Sequence, residues 1–163
     1  MTGAGAIDLV SQSAQHTERL GERLGRVAGP NDVLALWGEL GAGKTVFARG
    51  VAAGLGIDPT DISSPTFIIF REHNGGRLTL FHVDLYRLEG ADLASTGWEE
   101  CLEAGGVTVI EWADRAGAAL PGDRLDVRLA HLAETRRNVE LTATGPRSAR
   151  ILGELRSDVA AGA

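Results

Sequence analysis

The residues Gly38-Glu39-Leu40-Gly41-Ala42-Gly43-Lys44-Thr45 meet the pattern G-x-x-x-x-G-K-[ST] at every specified position. That spacing has a physical reason. Glycines let consecutive backbone N–H groups turn inward around an anion, and the helix that follows adds the positive end of its dipole. An ammonium at Lys44 then reaches the outer phosphates of a nucleotide, and the Thr45 hydroxyl faces Mg²⁺. Composition sharpens the reading: of 16 basic residues 15 are arginine, and Lys44 is the single lysine. It stands at the one position that demands it. A guanine-reading loop of the Asn-Lys-x-Asp type needs a second lysine, so ATP is the expected nucleotide.

Acids that complete such a site belong at the carboxyl ends of apolar strands. Leu80-Phe81-His82-Val83 runs into Asp84, and Val107-Thr108-Val109-Ile110 runs into Glu111. Either could hold Mg²⁺, directly or through water, and either could orient an attacking water, so both are candidate metal and catalytic residues. Thr66, in Ser64-Pro65-Thr66-Phe67, is the candidate hydroxyl that senses the outermost phosphate. His82 reads as a core histidine. Tyr86 and Arg87 could face the site or a partner, and Trp112 could cover the nucleotide or pack in the core.

These residues need elements to hold them. Ser13 caps an expected helix over 14–28, with Leu20, Leu24 and Val27 on one face. Val33–Trp37 reads as a strand buried on both faces. The phosphate loop follows, and a helix over 44–54 with Phe47, Val51 and Leu55 at i, i+4, i+8. Two strand-like runs, Phe67–Phe70 and Leu78–Val83, flank the turn signal Asn74-Gly75-Gly76. Residues 89–103 read as partly helical, and Val107–Ile110 as another buried strand. Leu125, Val127 and Leu129, then Val139 and Leu141, alternate with polar residues and predict a two-stranded antiparallel addition before a helix over 146–156. The expected fold is α/β: a mostly parallel sheet flanked by helices, of the P-loop NTPase kind, with an antiparallel extension near the C-terminus.

Bulk properties bound the function. A chain of 163 residues makes one domain, with 1–6 and 157–163 expected to fray. Apolar residues at 44% and charged residues at 23% describe an ordinary globular protein. The net charge of −6 argues against a generic binder of nucleic-acid backbone. The single cysteine, Cys101, and the absence of an apolar run of about 20 residues or a basic, apolar leader point to a cytoplasmic, non-membrane protein. Charge is uneven: 57–114 carries net −8 and 115–156 net +3. That contrast fits solvated faces, or a two-sided surface for charged partners.

The phosphate loop, Ser64-Pro65-Thr66-Phe67, His82-Val83-Asp84-Leu85-Tyr86-Arg87 and Glu111-Trp112, in that order, closely resemble the TsaE family of bacterial P-loop ATPases. The likeness runs from Thr17-Glu18-Arg19-Leu20-Gly21 to about residue 145. Glu39 stands for a usual Asp, Val46 for a second Thr and His73 for a usual Tyr, away from the phosphate chemistry. The resemblance implies an ATPase required for threonylcarbamoylation of adenosine in tRNAs that read codons beginning with A. It implies work with the TsaB–TsaD complex, which TsaE resets by hydrolysis, and contact with tRNA only through those partners. Carried over by position, Glu39 to Thr45 bind the phosphates, Thr45 and Glu111 the metal, Asp84 and Thr66 support hydrolysis, and Thr17 contacts the nucleotide. A small-molecule kinase is the competing expectation. It needs an arginine-bearing lid, whereas the arginines of 115–156 fall in the expected hairpin and last helix.

Overall fold

Short apolar runs between glycine-rich turns become the strands of one seven-stranded sheet. The structure, a computed structural model, describes residues 5–39, 41–62, 70–86 and 97–162. The strands are β1 (Ala6–Ser11), β2 (Val33–Trp37), β3 (Phe70–His73), β4 (Leu80–Asp84), β5 (Val107–Glu111), β6 (Leu125–His131) and β7 (Arg137–Ala143). The helices are α1 (Ala14–Val27), α2 (Lys44–Gly54) and α3 (Pro146–Gly162). Sheet order is β1-β7-β6-β2-β5-β4-β3. The central strands β6, β2, β5 and β4 run parallel, while β3 at one edge and the β7–β1 pair at the other are antiparallel.

This is the expected α/β sheet, with one correction. The antiparallel addition has three strands, because Ala6, expected in the frayed terminus, and residues 7–11, for which no element was expected, form β1 against β7. Ile7 and Leu9 alternate with exposed neighbours and pack on the core, a half-buried period of two over only six residues. The last helix also continues past 156 to Gly162. Of the expected strand over 67–70, residues 67–69 lie outside the described residues and Phe70 begins β3. Of the expected helix over 89–103, the described part is a 3₁₀ turn at Trp98–Glu103.

The core has two halves, one on each face of the sheet. On one face Leu34, Leu36, Val107, Val109, Leu125 and Val127 meet the three helices. On the other, Val33, Ala35, Val83 and Ile110 are covered by Trp98, Cys101 and the short turns after β5. Period-two alternation therefore places His82 and Asp84 of β4, and Val109 and Glu111 of β5, on the face that carries α2.

α1 begins where Ser13 accepts a hydrogen bond from the His16 N–H at 3.1 Å. It lies against α2 at unusually close range. A Cβ added at Gly21 would sit 2.3 Å from the Phe47 carbonyl, and one at Gly50 would sit 2.0 Å from the Glu18 carbonyl. Gly25 and Gly54 repeat the contact one turn on. Backbone meets backbone there, so the helix that carries the phosphate loop is fixed against α1.

Candidate functional site

The loop between β2 and α2 turns on Gly43, whose φ of 106° lies in the left-handed region that side chains disfavour. That turn delivers Lys44 and Thr45 to the head of α2, above the ends of β4 and β5. Lys44 is buried. Its Nζ donates to the Gly38 carbonyl and, at 3.0 Å, to the Glu39 carbonyl, and it lies 3.8 Å from the centre of the Trp112 ring. Burial pulls its pKa down, and Glu111, Asp114 and Asp84, in falling order of influence, push it back up. A buried ammonium held by two neutral carbonyls and an aromatic face is poised to meet a denser anion.

Thr45 Oγ1 donates to both carboxylate oxygens of Glu111, at 3.0 and 3.2 Å. Glu111 is buried and directly opposite Asp84 in the register of β4 and β5. Asp84, also buried, accepts the Tyr86 N–H at 2.9 Å through Oδ1. The residues expected to hold metal, Thr45, Glu111 and Asp84, thus share one end of the sheet. Glu111 is the carboxylate that touches the threonine.

Trp112 both covers the loop and packs. Its backbone is left-handed, φ 60° and ψ 46°, an uncommon state for a residue with a side chain. The bend folds the indole back over Lys44, and its other neighbour is Tyr86, with ring centres 4.7 Å apart. Arg115 continues the column, 5.8 Å from the Tyr86 ring. The resulting cleft of about 270 Å³ is lined by Gly41, Gly43, Lys44, Thr45, Glu111 and Trp112.

Thr17, in the first turn of α1, is buried beside the loop: a Cβ on Gly43 would lie 3.8 Å from its Cγ2. Its hydroxyl is bonded to Ser11 at 2.6 Å. Glu39 is exposed at the loop's start, and Ala42 is buried, its N–H donating to the Glu39 carbonyl at 3.0 Å. Leu40, Thr66 and Arg87 lie outside the described residues.

His82 and Asp114 were not among the expected site residues. His82 Nε2 is bonded to Glu111 Oε2, so this core histidine belongs to the site. Its place two residues before Asp84 on the same strand face was the signal. Asp114, exposed in the turn after Trp112, acts on the site only through its charge, which raises the Lys44 pKa.

The arrangement fits a magnesium nucleotide on its own chemistry. Carboxylate and hydroxyl oxygens are the hard donors that Mg²⁺ takes, and the ammonium and loop amides suit phosphate. A model of the family described as "Threonylcarbamoyl adenosine biosynthesis protein TsaE" matches residues 11–139. This chain belongs to the TsaE family. A tRNA threonylcarbamoyladenosine biosynthesis protein TsaE from Treponema pallidum is 44% identical over 131 residues, 80% of this chain and 96% of its own. The protein of the same description from Bacillus subtilis is 38% identical over 141 residues, 86% of this chain and 88% of its own. The crystal structure of YdiB from Bacillus subtilis superposes with a TM-score of 0.81 at 32% identity, covering 94% of this chain and 96% of that one. The TsaE match spans the loop, both acids and Trp112. Among the described residues no helix is long and apolar enough to cross a membrane.

Proposed function

We propose that this chain binds ATP with Mg²⁺ and hydrolyses it in support of tRNA threonylcarbamoyladenosine synthesis, together with the TsaB–TsaD complex. The observation that carries the reading is the convergence of Lys44, Thr45, Glu111 and Asp84 at the mouth of one loop. The loop amides and Lys44 bind the phosphates. Lys44 exchanges two neutral carbonyls for charged oxygens, a stronger, charge-assisted contact. Thr45 and Glu111 would hold Mg²⁺, which when bound neutralises charge on the phosphates. Asp84, opposite Glu111, orients the water, and Trp112 with Tyr86 walls off bulk solvent.

A protein partner is supported by the rim. Among the described residues the exposed large apolar side chains are Val10, Tyr86 and Leu132. They follow or close β1, β4 and β6, at the strand ends where the phosphate loop lies. With the net charge of −6, this rim favours a protein surface over a nucleic-acid backbone, so tRNA is reached through partners. Calorimetry with a non-hydrolysable ATP analogue tests the binding step. The chain is expected to bind it with Mg²⁺, and folded Lys44→Ala is expected to lose binding. Equal binding by the two would overturn the assignment.

A further inference from the structure

His82 spends a buried position on one polar contact. It is 0% exposed, on a strand whose Leu80 and Val83 are apolar and fully buried. In register it faces Val109 of β5, and Glu111 is the diagonal neighbour two residues on. The imidazole spans that diagonal, and Nε2 bonds Glu111 Oε2. Nδ1 has no hydrogen-bond partner. A carboxylate oxygen accepts, so the hydrogen of this contact sits on Nε2. Glu111 is therefore clamped from two sides, by Thr45 from the loop helix and by His82 from the next strand.

We infer that His82 is a positioning residue: its Nε2–H holds the Glu111 carboxylate in the orientation from which, with Thr45, it takes the metal. This rests on the nucleotide reading above. A histidine serving only to fill the core has no reason to point its donor at that carboxylate and leave its other nitrogen unpaired, a burial that costs free energy. Groups that orient a metal ligand typically change metal affinity about 10–100-fold when removed.

The test uses the whole chain with a non-hydrolysable ATP analogue and Mn²⁺ as the spectroscopic probe, read by electron paramagnetic resonance. His82→Met keeps volume and loses the donor. It is expected to weaken Mn²⁺ binding about 10–100-fold, with affinity for the metal-free analogue unchanged. His82→Gln, whose terminal N–H reaches as far as Nε2, is expected to restore binding; His82→Asn, which stops short, is not. The Gln and Asn pair decides the matter even if the apolar variant fails to fold. Wild-type Mn²⁺ affinity in folded His82→Met, or Gln no better than Asn, overturns the inference and leaves the nucleotide reading standing. No analogue binding by the unaltered chain overturns both.

Discussion

Glu111 takes hydrogen bonds from Thr45 and His82 while lying opposite Asp84 across one parallel strand pair. Two buried carboxylates side by side repel, and a divalent cation between phosphate and protein relieves that repulsion. Glu111→Gln and Asp84→Asn keep shape and remove charge. Each is expected to lower the hydrolysis rate by about 10²–10³ while analogue binding persists; wild-type rates for both, measured by phosphate release, would remove them from the site. Of these residues the loop was legible because its meaning is local: eight consecutive positions and a lone lysine. The Thr45–Glu111 and His82–Glu111 contacts were not, since each joins elements far apart in the chain. Trp112 was a candidate cover from the sequence, but the left-handed backbone that turns its indole over Lys44 has no local pattern.

Between elements, the α1–α2 contact makes a sharp prediction. A Cβ at Gly50 would meet the Glu18 carbonyl at 2.0 Å, and backbone there cannot swing aside. Gly50→Ala is expected to cost about 1–3 kcal/mol by urea unfolding. Gly153→Ala in α3, where a Cβ meets nothing within 4 Å, is expected to gain about 0.5–1 kcal/mol. Opposite signs for one chemical change would locate the effect in helix contact. Nothing local in Gly21, Gly25, Gly50 and Gly54 tells which helices meet, because the contact joins two separate elements. β1 escaped for a related reason: six residues of weak alternation become a strand only because β7 offers an edge.

α3 supplies the pH-dependent element. Asp123 accepts the N–H groups of Arg147 and Ser148 at 2.7 and 3.0 Å, serving the helix start from a distant loop. Burial opposes its ionisation, but the bonds from Ser148 and Arg147 outweigh it and hold its pKa below 3.8. A depressed folded value means the stabilisation is present above 3.8 and is lost as pH falls through the folded value. Asp123→Ala is expected to cost about 1 kcal/mol at pH 7. That difference should shrink in acid; a constant difference down to complete protonation would show that the charge does not matter.

The described residues bring the loop before α2, the tilted Trp112–Tyr86 pair and the exposed apolar rim to one end of one sheet. Among the arginines, Arg115 is stacked on Tyr86 and Arg124 is paired with Asp126. In other P-loop systems an arginine supplied in trans is worth about 10³–10⁵ in rate. On the proposed function, hydrolysis by the isolated chain is expected to be slow, and its ATP form is expected to join TsaB–TsaD more tightly than its ADP form. Phosphate release by the chain with and without the TsaB–TsaD complex measures this directly. The rate is expected to rise by orders of magnitude with the complex, and to stay flat for Lys44→Ala. An unchanged rate for the unaltered chain, with the complex demonstrably bound, would contradict it.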